Sequence, residues 1–380
     1  IDITKLIYGQ ITTGDDLRYV KDAHKKPIVV WNSTRRCNLS CIHCYADSTD
    51  KVYPDELSTE EAKKLIVSLS EYGAPVFLFS GGEPFMRPDL LELIEFVNKQ
   101  GIRPVISTNG TLISEKMANE LKEVNVRYVG ISLDGIGEIN DKFRGMEGAF
   151  EKSKEGFRNC VNAKVKVGLR LTLTKQNFKN LPQIFDFLRD EKINRACFYH
   201  LVYCGRGSDM TKDDLTHDET RQAVDYIIKR TGELLKAGQQ IDILTVDNHT
   251  DGVYIYKKML KEDPKKAQEI YRLLKINGGN SSGIGISCID NTGNVYADQF
   301  LRKHSFGNIR ERKFSDIWED TSNLLMAGLK DRKKLLKSKC GICKYVDICN
   351  GNFRARAEAV YGDIWETDPQ CYLSELEVTS

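Results

Sequence analysis

The chain has 380 residues, 41% hydrophobic and 29% charged, an ordinary balance for a globular protein with room for a large core. Its formal net charge of +2 gives no electrostatic reason for a nucleic-acid partner, and no run approaches the ~20 apolar residues that cross a bilayer. No signal-peptide pattern opens the sequence, and eleven cysteines in such a chain point to metal ligation in a reducing cytoplasm instead of disulfides.

Residues 1–26 are polar and mixed. They read as an accessory segment that packs on the following domain or covers its mouth, with Arg18, Lys25 and Lys26 either meeting an anionic substrate or simply solvated. A short apolar run at 28–31 leads into a turn holding Cys37, Cys41 and Cys44. Helical spacing follows over 59–72, with Ser58 as N-cap and Glu61 three residues on, then a second apolar run at 76–79. Pro88 suits the first turn of a helix reaching Lys99. The third run is 104–106, Ser114 caps the next helix, and the fourth run is 128–131. A helix near 148–162, a run at 165–171, a helix over 180–190 and a run at 196–201 complete the series. Six strand–helix units at intervals of about 25–40 residues predict an α/β domain with a parallel sheet flanked by helices. Such sheets carry their chemistry at the carboxyl ends of the strands.

From 206 to 280 the chain is polar, with an amphipathic helix over 217–236, and reads as a helical linker closing in a glycine-rich turn at 278–283. The last hundred residues change character. A β-hairpin is predicted over 284–298, and Cys340, Cys343, Cys349 and Cys371 follow.

The strand tails can be compared with one another. The first ends in Cys37-Asn-Leu-Ser-Cys41-Ile-His-Cys44-Tyr45, the second in Ser80-Gly81-Gly82-Glu83-Pro84, the third in Ser107-Thr-Asn109-Gly110 and the fourth in Ser132-Leu-Asp134-Gly135. Three of these tails set glycine beside polar groups, where the backbone approaches a ligand closely or merely turns. Three thiols within eight residues suit a soft metal centre. No fourth cysteine lies nearby, so a 4Fe-4S cube held here keeps one iron open. A zinc knuckle completed by His43 or a distant cysteine is the competing arrangement.

With the cysteine loop and Gly81-Gly82-Glu83-Pro84 together, residues 27–205 resemble the radical S-adenosylmethionine (SAM) enzymes. The resemblance implies a partial (β/α)6 TIM-like barrel whose Cys37, Cys41 and Cys44 hold a 4Fe-4S cluster with SAM on the open iron. It implies SAM contacts from Tyr45, Gly81, Gly82, Glu83, Ser107, Asn109, Ser132, Asp134, Arg144 and Leu201, with Glu83 on the amino group and Arg144 on the carboxylate. Residues 281–380 resemble the SPASM/twitch-like α+β extension. There Cys340, Cys343, Cys349 and Cys371 are the expected ligands of a second, auxiliary 4Fe-4S cluster, with zinc as the alternative. Asp298 and Phe353 stand where a full SPASM motif has cysteines, so the other auxiliary site reads as dismantled, with Cys288 its remnant or an alternative ligand.

Trp31-Asn-Ser-Thr-Arg35-Arg36, Gly14 to Tyr19 and Cys349 to Glu358 resemble the enzymes of siroheme-dependent haem biosynthesis, closest to the didecarboxysiroheme-deacetylating branch. That resemblance implies an iron tetrapyrrole substrate, loss of acetate side chains to give iron coproporphyrin III, and an electron donor such as flavodoxin or ferredoxin. Arg354 and Arg356 are then candidate cations for the substrate's carboxylates. His24, His43, His200 and His304 are candidates to ligate its iron, each also readable as structural. A peptide-modifying maturase is the alternative within the superfamily, although residues 1–26 are too short for its usual peptide-binding unit. A non-catalytic iron–sulfur electron carrier is the alternative outside it, and would have no use for the Gly81–Pro84 tail.

Overall fold

The apolar runs pair in the order in which they occur along the chain. Strands β1 (Ile28–Thr34), β2 (Val76–Gly81), β3 (Arg103–Thr108), β4 (Tyr128–Ser132), β5 (Val167–Leu173) and β6 (Arg195–His200) lie side by side, each parallel to the next. The computed structural model describes residues 1–12, 14–20 and 26–379. Lys25 and His24 lie outside these described residues.

Alternation along the strands decides what each face does. Trp31, Phe77, Phe79, Ile106, Ile131 and Phe198 point outward and join helix residues such as Leu65, Leu93 and Ile184 in one apolar cluster. Each such fully buried side chain contributes about 1.5–3 kcal/mol relative to exposure. The other face, the inside of a partial barrel, carries Asn32, Ser80, Ser107, Ser132, Arg170 and Tyr199. The helices form for local reasons as well: Ser58 and Glu61 make a reciprocal capping box on Thr59–Tyr72, and Ser114 accepts from the Met117 N–H at 3.2 Å.

Three strands extend the sheet beyond the six. The stretch 206–280 is not helical throughout, because β7 (Asp242–Val246) pairs parallel with β6. On the other side β8 (Ile286–Ile289) pairs parallel with β1, and β9 (Val295–Tyr296) turns back on it as the expected hairpin. The order is β7-β6-β5-β4-β3-β2-β1-β8-β9. The C-terminal region therefore begins as a continuation of the barrel sheet, and short helices follow, among them Val346–Cys349 and Arg354–Tyr361.

The N-terminal segment covers the edge of β7. Asp2 bridges to Leu244, and the Thr4 hydroxyl donates to the Ile241 carbonyl at 3.0 Å and accepts from the Ile243 N–H at 2.9 Å. Polar groups of an exposed sheet edge are thereby paired. Arg18 lies 3.7 Å from Asp2, and Lys26 sits over the Tyr72 ring at 3.8 Å. Neither is aimed at the cysteine-bearing strand ends. Among the described residues no helix is long and apolar enough to cross a membrane.

Candidate active site

The loop after β1 folds back so that its three thiols come together. Cys37 and Cys41 are buried, and Cys44 and Met146 pack against them. Burial pushes the Cys37 thiol up to about 12, and the nearby Glu83, Cys41 and Cys44 add to the effect. The Cys41 thiol is also raised by burial, opposed by the Arg144 guanidinium. Two buried thiols that resist ionisation, Cys37 and Cys41, with Cys44 packed beside them, are a donor set that a cationic metal centre relieves. Among the described residues, no three His, Cys, Asp or Glu side chains converge as one bound ion requires. A four-iron cube has no such requirement, since each thiolate sits on its own iron.

Gly81 and Gly82 let the tail of β2 lie against this loop. A Cβ on Gly81 would stand 2.4 Å from the Thr34 carbonyl oxygen, and one on Gly82 would stand 2.1 Å from that of Arg36. With glycine, the Gly82 N–H donates to Thr34 at 2.7 Å and the Glu83 N–H to Arg36 at 2.8 Å. Gly81 also has φ +117°, outside the range of ordinary side chains. The Glu83 carboxylate is fully buried and turned toward the end of β3. It accepts from the Thr108 hydroxyl at 2.7 Å, the Asn109 N–H at 2.8 Å and the Phe85 N–H at 3.2 Å. Burial lifts its pKa to about 7 despite those donors. Asn109 spans to the cysteine loop, donating to Asn38 at 2.9 Å with its Nδ2 4.0 Å from the Cys37 sulfur. Ser107 and Ser132 face the barrel interior, half-buried.

Asp134 and Arg144 form a buried ion pair, and Arg144 Nη1 reaches the Cys41 sulfur at 3.6 Å. The Thr172 N–H donates to the other Asp134 oxygen at 2.7 Å. Asp134 thus orients Arg144 at the rim of the thiol group. His43 lies 3.7 Å from the same carboxylate, its ring centroid 4.6 Å from that of Phe143, and burial lowers its pKa to about 4. Leu201 is buried with Phe143, Tyr203 and Met210 beneath the loop.

The Tyr45 hydroxyl donates to Asn32 at 2.9 Å and lies 3.0 Å from the Ser80 hydroxyl, so the ring stands inside the barrel mouth. It packs edge-on against Phe300 at 5.3 Å between centroids, and Phe300 against Phe353 at 5.4 Å. This aromatic row joins the cysteine loop to the C-terminal region. Phe300 carries no sequence signal, and Arg206 little; the Arg206 Nε donates to Cys41 O at 2.8 Å and Nη1 to Ser48 O at 3.0 Å. The glycines on either side of Arg206 were the only hint.

Cys340, Cys343, Cys349 and Cys371 line one pocket. Burial raises the Cys349 thiol well above its ordinary value, with the other three thiols adding to it. Four thiols around one space, those of Cys340, Cys343 and Cys349 raised by burial, fit a cluster. Where the resemblance placed two further cysteines, Asp298 accepts from the Phe300 and Leu301 N–H groups at 2.7 and 2.8 Å, and Phe353 completes the aromatic row. Cys288 is fully buried on the inner face of β8 beside Val30 and Tyr296.

Two expectations about substrate contacts need correction. Arg354 and Arg356 are fully buried. Arg354 donates to the carbonyls of Ile364 at 2.9 Å, Glu366 at 2.6 Å and Gly351. Arg356 holds both oxygens of Asp368 at 2.8 and 3.0 Å, the Leu201 carbonyl at 3.1 Å and the Asp247 carbonyl at 2.6 Å. Arg356 is thus paired with Asp368, while the Nη donors of Arg354 are taken by carbonyls and its Nε is buried without a partner; both side chains are sealed inside the C-terminal region, away from a substrate carboxylate. The histidines follow the same logic: His200 is buried against Asp251 at 2.9 Å, and His304 is paired with Glu358.

Comparison with known proteins agrees with this geometry. Residues 31–188 match the radical SAM superfamily. The chain is 56% identical to Fe-coproporphyrin III synthase of Methanosarcina barkeri, over 100% of this chain and 98% of that protein. It is 38% identical to pre-heme d1 synthase of Dinoroseobacter shibae, over 93% of this chain and 87% of that protein. Among solved structures, Streptococcus suis SuiB bound to S-adenosylmethionine superposes with a TM-score of 0.71 at 18% identity, covering 92% of this chain and 78% of that one. That likeness speaks for the fold.

Proposed function

Because the chain belongs to the radical SAM family that contains Fe-coproporphyrin III synthase and pre-heme d1 synthase, we propose that it removes the acetate side chains of 12,18-didecarboxysiroheme to give iron coproporphyrin III. The observation that carries this reading is the 56% identity over the whole chain with Fe-coproporphyrin III synthase.

When bound, the SAM cluster and SAM supply a 5′-deoxyadenosyl radical that takes hydrogen from a substrate side chain. Cys37, Cys41 and Cys44 would hold that cluster. Arg144, oriented by Asp134, would meet the SAM carboxylate, and Glu83 with the Gly81–Gly82 backbone would face its amino group. Tyr45, inside the barrel mouth, would stand beside the bound SAM, and Leu201 packs beneath the loop. Asn109 and Arg206 pin the cysteine loop to β3 and to the segment after β6, which fixes the radical's origin relative to the barrel interior. Cys340, Cys343, Cys349 and Cys371 would hold the auxiliary cluster, on the far side of the Tyr45–Phe300–Phe353 row. A one-electron donor such as flavodoxin or ferredoxin, and a cytoplasmic setting, complete the proposal.

Anaerobically reconstituted protein should bind didecarboxysiroheme with a shifted Soret band, and the tetrapyrrole should accelerate SAM cleavage. A tetrapyrrole that changes neither the spectrum nor the cleavage rate would leave a radical SAM enzyme with another substrate.

A further inference from the structure

With Arg354 and Arg356 spent on the fold, the carboxylate-rimmed substrate needs a different cation. We propose that Arg302 is that residue, receiving a side-chain carboxylate of the tetrapyrrole at the barrel mouth; this assignment rests on the substrate reading above.

Arg302 follows the β8–β9 hairpin and returns to the inner face of the barrel. Its guanidinium carbon lies 5.7 Å from the centroid of the Tyr296 ring. Tyr45, Cys204 and Cys288, all neutral in their buried settings, are its other neighbours. These neighbours place it beside the cysteine loop: the Cys204 sulfur lies 3.8 Å from the Tyr45 carbonyl oxygen, and Cys288 lies under Val30 of β1.

The guanidinium feels the charge of Asp290 but is not in direct contact with it. Its Nη1 is buried and has no hydrogen-bond partner, and no carboxylate among the described residues pairs with it within 4.0 Å. Two acids of the same hairpin region, Asp290 and Asp298, are committed elsewhere. Asp290 accepts from the Thr292 and Asn294 N–H groups at 2.9 and 3.0 Å, and from the Tyr296 hydroxyl at 3.0 Å. Asp298 accepts from Ser282, Phe300 and Leu301. A cation held in a half-buried place with an idle donor is costly by itself. It is well suited to a planar, bidentate anion that arrives with a ligand. The other guanidiniums around the loop have work to do: Arg144 holds Asp134, Arg206 staples the loop, and Arg170 donates to the Tyr199 hydroxyl at 2.9 Å. A carboxylate on Arg302 would also lie beside Tyr45, on the side of the mouth from which the radical comes.

The test is a titration of anaerobically reconstituted Arg302→Gln and Arg302→Lys proteins with didecarboxysiroheme, read by the Soret shift. Iron content and SAM affinity are measured in the same samples to establish that fold and SAM site are intact. The Gln variant should bind the tetrapyrrole about 30-fold more weakly or worse, as for loss of one partner of a desolvated charge pair. The Lys variant should recover part of the difference, as a point charge replaces a fork. Wild-type affinity in both variants, with the wild-type protein binding, would overturn the Arg302 assignment alone. No Soret shift in the wild-type protein would overturn the substrate reading and this assignment with it.

Discussion

Arg356 holds Asp368 with two parallel hydrogen bonds, Nε to Oδ1 at 3.0 Å and Nη2 to Oδ2 at 2.8 Å, with both residues out of contact with solvent. Its remaining donors reach the carbonyls after β6 and β7, at Leu201 and Asp247. One side chain thus ties the cysteine-rich C-terminal region to the carboxyl ends of two barrel strands. Asp368 also accepts from the Phe353 N–H at 2.9 Å, so the aromatic row is fixed by the same joint.

Removing one partner of this pair should be expensive. Arg356→Ala is expected to lose about 3–5 kcal/mol of unfolding free energy, because it strands a buried carboxylate. Chemical denaturation of the anaerobic protein checks this. A change below about 1 kcal/mol would mean that the joint is dispensable.

The barrel was legible in the sequence where burial is one-sided and regular. Strands β1 to β6 announce themselves as apolar runs between amphipathic helices, and their tails carry the cysteines and glycines. β7 was missed because Ile243, Leu244 and Val246 form a short run inside a long polar stretch. β8 was read as half of a hairpin, and its second partner, β1, lies more than 250 residues away, beyond any local pattern. Site residues showed the same split. Thiols and the Gly-Gly-Glu tail are set by spacing. The roles of Arg356, Phe300 and Arg302 depend on which groups surround them, and an arginine in a sequence does not reveal whether its guanidinium is spent. Asp298 and Phe353 were recognised as departures from a cysteine pattern, yet only the structure gives them positive roles, as a loop-capping carboxylate and a link in the aromatic row.

The two thiol groups should be separable. Replacing Cys37, Cys41 and Cys44 with Ala should leave roughly half the reconstituted iron, about four of eight, and no SAM cleavage. Cys340→Ala or Cys343→Ala should keep reductive SAM cleavage and lose product. Iron analysis with deoxyadenosine chromatography reads both, and SAM cleavage surviving the triple substitution would contradict the assignment.

Glu83→Ala and Arg144→Ala remove no thiol, so iron content should stay near wild type. SAM affinity should fall by about 2–5 kcal/mol where the charge pair is desolvated. Equilibrium binding of SAM to the reconstituted variants measures this, and affinity unchanged in both would displace the SAM site from this pocket.

Asp247 should make stability fall with rising pH. It follows β7 with φ +64°, and burial lifts its pKa to about 7, against the lowering effect of Arg356, His200 and Arg170 and with the raising effect of Asp298. A carboxyl raised from an ordinary value near 4 to about 7 binds more protons folded than unfolded. Its contribution is present below pH 4 and lost as pH rises through 7, with a slope of at most about 1.4 kcal/mol per unit between them. Asp247→Asn tolerates the same backbone and should flatten that part of the profile. Denaturation midpoints at pH 5 and 8 for both proteins provide the comparison, and identical pH profiles would refute the assignment.

The central claim is that radical chemistry started at the Cys37–Cys44 loop removes acetate from a tetrapyrrole. The most direct measurement is mass spectrometry of an anaerobic incubation of the reconstituted protein with didecarboxysiroheme, SAM and a reductant, with deoxyadenosine quantified alongside. The account predicts conversion to iron coproporphyrin III through loss of two acetate side chains, in step with deoxyadenosine release. Deoxyadenosine formation with the tetrapyrrole recovered at its original mass would contradict it.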